Sequence, residues 1–227
     1  MTQAIVSYDT NGPVAMITMD DGRANALGPD LTQAINDALD QAEADETVKA
    51  AVIAGREGRF SAGFDLSIIS GGDAAAIRAM VSAGGSLVQR LYGGPLPVVA
   101  ACTGHAVAAG ALMLLGCDVR VGPDAPVKIG LNEVGIGLTL PGWALTIASE
   151  RLSFRHRQRA VVNAVLYDGA GAVDVGFLDR VVAPDQVLAE AVAEATILAE
   201  LDAAAYAKTV AAFRRSTLAA MAADING

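Results

Sequence analysis

The chain has 227 residues, 53% of them hydrophobic and 18% charged, with a formal net charge of −9. That hydrophobic content supplies a large buried core and argues against disorder. The acidic balance leaves no basic face to neutralise a nucleic-acid backbone, so no nucleic-acid partner is expected.

In chain order, Met1 to Asp9 shows no basic region followed by an apolar core, so no signal peptide is expected. Val14–Met19 reads as a strand. Gly28-Pro29-Asp30 opens a helix, with Pro near its first turn and an apolar stripe of Leu31, Ile35, Leu39 and Ala42. Ala50–Ala54 and Val98–Cys102 are short apolar runs that read as buried strands. Between them, Gly71-Gly72-Asp73-Ala74-Ala75-Ala76 reads as a mobile loop. Val107–Leu115 reads as a buried helix, and the apolar stretch Ala106–Leu115 is too short to span a bilayer. The expectation is a soluble cytoplasmic protein with no membrane partner. Cys102 and Cys117 lie in apolar surroundings and read as buried reduced thiols, not as a disulfide framework or metal site.

Val119–Val121 and Val127–Ile129 are further strand candidates. Pro141 starts a helix, and Ser153 is a candidate cap for another running to Leu166. Gly169, Gly171 and Gly176 punctuate the stretch before a strand at Arg180–Val182. From Pro184 the chain is Ala-rich and helical, with Leu188, Val192, Ile197 and Leu201 on its apolar side, followed by Tyr206, Val210 and Phe213. Alternating short strands and helices indicate an α/β domain.

Three segments carry candidate chemistry. Gly58–Leu66 contains Ser61-Ala62-Gly63, where small residues leave backbone N–H groups free to face a ligand. Gly104–Leu112 leads from a strand through small residues into a helix, whose N-terminal N–H groups and partial positive charge suit an oxyanion. Ile129–Gly137 holds one acid, Glu133, among apolar and glycine residues. Alone, each segment has a structural reading: a tight turn, a close-packed helix, an acid capping the next turn. Together they are the equipment for moving a proton next to an acyl carbonyl, with N–H groups holding the enolate oxygen.

In these segments the chain resembles the crotonase superfamily, the enoyl-CoA hydratases and isomerases. The similarity runs from about Val14 to Val182 and lies in the order of Phe60–Leu66, Gly104–Gly110 with Cys117-Asp118 after it, and the Glu133 segment. The resemblance implies an α/β fold, a crotonase-type spiral of strand-strand-helix units over residues 1–183. Residues 184–227 would form a helical region packed on that core or on a neighbouring subunit. It implies Glu133 as the catalytic acid–base, and the backbone N–H groups of Ala62 and Ala109 as the oxyanion donors. It places Arg23, Ala24 and Ala26 at the coenzyme A adenine site, and Ala62, Gly63, Phe64, Asp65, Leu66, Gly110 and Leu112 along the substrate. The substrate would be a coenzyme A thioester, with no metal and no other cofactor, in a homotrimer or dimer of trimers.

Three departures bear on the activity. Hydratases of the family carry a second glutamate at the position of Leu112, and adding water wants two carboxylates. A single base suffices for migration of a double bond, and Ile129-Gly130-Leu131-Asn132-Glu133 with Pro141 and Trp143 is similar to the 3,2-enoyl-CoA isomerase subgroup. Isomerisation is therefore expected, with hydration or non-catalytic acyl-CoA binding as alternatives. Ala109 stands where glycine is usual, which keeps the N–H but adds a methyl. The chain also ends without the longer terminal segment common in the family, which leaves acyl-chain preference and subunit arrangement open. His105 reads as packed or solvent-facing. His156 with Arg155, Arg157 and Arg159 reads as a solvated helix face. Asp65 reads as holding its turn, Asp118 as pairing inside the fold, and Trp143 as core or pocket wall.

Overall fold

The computed structural model describes residues 4–227. Met1–Gln3, where the stretch read for a signal peptide begins, lie outside the described residues. β1 (Val6–Asn11) and β2 (Val14–Met19) pair antiparallel across a turn in which Gly12 has φ of +60°. α1 (Pro29–Ala44) follows, with Pro29 in its first turn and Leu31, Ile35, Leu39 and Ala42 buried on one face. From here the chain repeats one unit. β3 (Ala50–Ala54) and β4 (Gly58–Ser61) are followed by α2 (Leu66–Ser70) and α3 (Ala74–Gly93). β5 (Val98–Ala101), β6 (Gly104–Val107) and α4 (Ala109–Gly116) form the next turn. β7 (Val119–Pro123), β8 (Ile129–Gly130) and α5 (Gly142–Arg151) form the third. α6 (Gly169–Val175) and β9 (Arg180–Val182) close the series, and α7 (Val187–Leu198), α8 (Ala203–Phe213) and α9 (Arg215–Ile225) end the chain.

The first strand of each unit adds in parallel to a six-stranded sheet of order β1-β2-β3-β5-β7-β9, and the second to a parallel three-stranded sheet, β4-β6-β8. Parallel neighbours need a crossover rather than a hairpin, so each unit must return through a helix. The result is the expected α/β spiral. β3 is buried along its whole length because both faces of the sheet are covered. Ala51, Ile53 and Ala100 face the larger core with α1, α3 and α4. Val52, Val99 and Val121 pack under Val187, Ala191 and Ala195 of α7. Among the described residues no helix is long and apolar enough to cross a membrane.

The structure departs from the sequence expectations in several places, and the strand expected at Val127–Ile129 is displaced to Ile129–Gly130. Residues 154–166 are not an α-helix. A turn from Ser153 leads into one π-helical turn, Gln158–Val162, where Asn163 N–H donates to Gln158 O at 3.1 Å, and Ala164 then takes a φ of +51°. The glycines at 169 and 171 lie inside helix α6, capped by Asp168, which accepts from Gly171 N–H at 2.8 Å. Ala74–Ala76 is not loop but the first turn of the 20-residue α3, capped by Asp73. The glycines of that helix hid it from a propensity reading. Finally, α7 buries Val187, Ala191 and Ala195, while Leu188, Ile197 and Leu201 are exposed. Small alanines let the helix approach the sheet closely, and that requirement outweighs side-chain hydrophobicity in choosing the buried face.

Candidate active site

Pairing of β4 with β6 sets the turn after β4 against the start of α4. The turn survives only because residue 63 is glycine. Its φ is +89°, and a Cβ there would sit 2.7 Å from Ala108 Cβ and 3.2 Å from Ala109 N. At this contact the backbone N–H groups of Phe64 and Ala109 have no hydrogen-bond acceptor among the described residues. Ala109 is the first residue of α4, so its N–H is one of the helix's unpaired donors. Ala62 is a correction to the sequence reading. Its N–H donates to Ala24 O at 3.0 Å, so the free donor of this turn is that of Phe64, two residues on. A sequence does not tell which N–H of a turn is already committed to a distant carbonyl.

Phe64 is held by its neighbours. Leu27 N–H donates to Gly63 O at 2.7 Å, and Asp65 N–H donates to Leu27 O at 3.2 Å. The supporting residue the sequence reading missed is Asn25, fully buried at φ +51°. Its Nδ2 donates to Met19 O and Phe60 O, and Ser61 Oγ donates to its carbonyl at 2.7 Å. Ser61 Oγ then accepts from Gly63 N–H at 3.2 Å. An Asn just after the turn-forming Asp20-Asp21-Gly22 was the available signal. Arg23, Ala24 and Ala26 lie alongside this support, with Arg56 Nε donating to Arg23 O at 2.9 Å, and line neither cavity described below.

On the α4 side the strain falls one residue before the position that the sequence drew attention to. Ala109 sits in ordinary helix, but Ala108 has φ 51° and ψ −125°, a conformation that suits glycine. Such a residue stores about 1–3 kcal/mol. Ala108→Gly is expected to raise unfolding stability by about 1 kcal/mol, after allowing for the freer unfolded chain. Urea denaturation checks it; a destabilised variant would mean that the Ala108 methyl contact with Gly63 outweighs the strain.

Glu133 follows β8 and precedes a 3₁₀ turn at Val134–Ile136. Its side chain makes no capping hydrogen bond, which removes the capping role. It is 7% exposed, and its Oε2 is buried without a partner. Burial lifts its carboxyl above the ordinary range, while the backbone N–H groups of Glu133 and Asn132 pull weakly the other way. A buried carboxylate with an unpaired oxygen is poor structural material and suits proton transfer.

Glu133 lines two adjoining cavities. One, of about 360 Å³, is also lined by Phe64, Ile77, Val81, Leu112 and Leu140. The other, of about 130 Å³, includes Ala62, Phe64, Leu66, Ala108 and Asn132. Glu133 is the one ionisable side chain among the residues lining either. Leu112 is thus in the wall, as an apolar group. Gly110 lies beneath, where a Cβ would come within 2.5 Å of Ser61 O. A more open depression of about 590 Å³ lies between α5 and α9 and shares none of these residues.

The remaining candidates stand apart. Asp65 caps α2 through Ser67 N–H and Oγ, and those bonds hold its carboxyl below the usual range. Asp118 pairs with Arg214 at 2.8 Å and accepts from Val98 N–H and the Tyr206 hydroxyl. His105 Nδ1 accepts from Lys128 N–H, and burial with the nearby Arg59 and Lys128 lowers its pKa. Arg157 donates to Leu152 O and lies over the Phe154 ring, and Arg155 and Arg159 are exposed. Trp143 is core, 1% exposed. Both cysteines are buried free thiols, and burial pushes each pKa up to about 12. Among the described residues no three His, Cys, Asp or Glu side chains gather as a metal site.

Residues 9–226 match the family model described as "Enoyl-CoA hydratase/isomerase". Among curated relatives, human mitochondrial enoyl-CoA delta isomerase 1 is 31% identical over 187 residues, 82% of this chain and 62% of that protein. The chain spans 62–66% of the length of the mammalian isomerases it matches. Among solved structures, an enoyl-CoA hydratase of Mycobacterium ulcerans is 40% identical with a TM-score of 0.95, covering 98% of this chain and 97% of that one. The human mitochondrial delta3-delta2-enoyl-CoA isomerase is 28% identical with a TM-score of 0.92, covering 98% and 89%.

Proposed function

The chain belongs to the enoyl-CoA hydratase/isomerase family, and we propose that it moves the double bond of an enoyl-CoA from the 3- to the 2-position with Glu133 as the single base. The thioester oxygen accepts from the N–H groups of Phe64 and Ala109, which the fold leaves without a backbone acceptor. Glu133 takes a proton from C2. The electrons of that C–H bond delocalise towards the oxygen as a dienolate, held by the two donors. Glu133 then returns the proton at C4, leaving a double bond between C2 and C3. Proton, electrons and enzyme balance without a cofactor or water.

The observation that carries this reading is the cavity lining: one carboxylate, Glu133, facing apolar walls that include Leu112. Hydration needs a group to deprotonate water and a group to protonate the α-carbon, and each well-placed acid or base is worth ~10²–10⁴-fold. Hydration is the second reading, since the M. ulcerans neighbour bears the name of a hydratase. Purified protein is expected to convert 3-hexenoyl-CoA to 2-hexenoyl-CoA, and to hydrate crotonyl-CoA at least ~10²-fold less efficiently. Hydration without isomerisation would overturn the proposal.

A further inference from the structure

Helix α3 carries two adjacent glycines in its interior, Gly84 and Gly85. Glycine inside a helix weakens it relative to alanine, and neither residue has a positive φ that calls for glycine. Space explains both. A Cβ on Gly85 would lie 2.9 Å from Cε2 and Nε1 of Trp143, so that glycine makes room for a core side chain. A Cβ on Gly84 would lie 2.5 Å from Cε1 and 2.8 Å from Cζ of Phe64. The Phe64 ring therefore rests directly on the α3 backbone.

That ring is a wall of both cavities. Ile77, Val81 and Gly84 follow one another at spacings of four and three, so they share one face of α3. Ile77 and Val81 line the larger cavity beside Phe64, with Ile69, Leu138 and Leu140 completing an apolar passage. The peptide groups on either side of Phe64 are tied independently to Leu27, through Gly63 O and Asp65 N–H. Displacing the ring about its side-chain torsions therefore need not move the peptide.

We propose that Gly84 is a specificity-determining residue: its missing side chain seats the Phe64 ring against α3, and the seated ring keeps the cavity open to the linear apolar tail of an acyl thioester. A methyl on Gly84 drives the ring off the helix and into the space the tail would occupy. The inference rests on reading the cavity as an acyl-CoA site.

Calorimetric titration with saturated acyl-CoAs, butyryl to dodecanoyl, tests it on the wild type, Gly84→Ala, Phe64→Leu and the double variant. Wild-type affinity is expected to rise by up to about fourfold for each methylene that enters the cavity. In Gly84→Ala the rise stops early, and the ratio of long-chain to short-chain affinity falls by about tenfold or more, the worth of two methylenes. Phe64→Leu restores the ratio in the double variant, and alone it moves the plateau to longer chains. The same ladder in Gly84→Ala as in the wild type, or no recovery in the double variant, overturns the inference. If Gly84→Ala does not fold, Phe64→Leu alone decides, and an unmoved plateau overturns it. Turnover of 3-enoyl-CoAs is followed alongside. A shifted ladder without turnover removes the isomerase reading and leaves Gly84 its role, turnover with an unshifted ladder does the reverse, and failure to bind any acyl-CoA removes both.

Discussion

Glu133→Gln is expected to lower kcat/KM for a 3-enoyl-CoA by ~10²–10⁴-fold, the usual worth of a general base, while making the protein harder to unfold at neutral pH. The two effects have one cause. Glu133 is buried, with Oε2 unpaired, and burial raises its pKa above the ordinary 4.5. The folded protein therefore holds this proton to higher pH than the unfolded chain does. Between the ordinary value and the raised one, the folded state binds more protons, so stability falls as pH rises through that window. Glutamine keeps the shape and never ionises. Its thermal midpoint should exceed the wild type's at pH 8, and the difference should vanish below about pH 4.5, where the acid is protonated in both states. The same shift places the acid limb of the wild-type kcat/KM profile above the ordinary carboxylate range, because the base must be ionised to act. A Gln variant that turns over normally would remove Glu133 from the chemistry. One that is less stable than wild type at pH 8 would mean that the carboxylate is a structural partner after all.

Gly63→Ala should cost both activity and stability. At φ +89° an alanine is strained, and its methyl would meet Ala108 Cβ at 2.7 Å and Val107 O at 3.0 Å. Relief requires the turn after β4 to move away from the start of α4. That motion separates the N–H groups of Phe64 and Ala109, which converge on one oxygen in the proposed reaction. Losing one such donor costs ~10²–10³-fold in rate, so kcat is expected to fall by about that much or more. Unfolding stability should fall by about 2 kcal/mol or more. Gly72→Ala separates the two causes. It has φ +72° with nothing within 4 Å, and so carries the backbone strain without the collision. It should lose stability and keep kcat. A Gly63→Ala enzyme with wild-type kcat would show that the two donors do not act on one oxygen.

Much of the spiral could be read from the chain. Val14–Met19, Ala50–Ala54, Val98–Ala101 and Val119–Val121 are apolar runs bounded by turn residues, and a strand buried on both faces has no other way to be written. α1 was legible because it packs one face on the sheet and keeps the other in water, which imposes a helical stripe. α3 was not, since Gly84 and Gly85 answer to Phe64 and Trp143, side chains remote in sequence. The short strands β4 and β6 were also missed, because a four-residue strand ending in a ligand-facing turn has little room for a pattern.

The candidate site divides in the same way. Residue identity settles some of its chemistry before any folding is considered. Glu133 is the single acid in its segment, Leu112 is no carboxylate, and an acidic chain offers no basic face to nucleic acid. Those are properties of side chains, and they travel with the sequence. The roles of backbone groups do not. Whether Ala62 or Phe64 presents the free N–H depends on Ala24 O reaching the first and not the second. Whether Ala108 or Ala109 carries the strain depends on how β6 turns into α4 against Gly63. Every residue but proline has the same N–H, so only the assembled fold, by pairing some and leaving others open, decides which of them a ligand can meet.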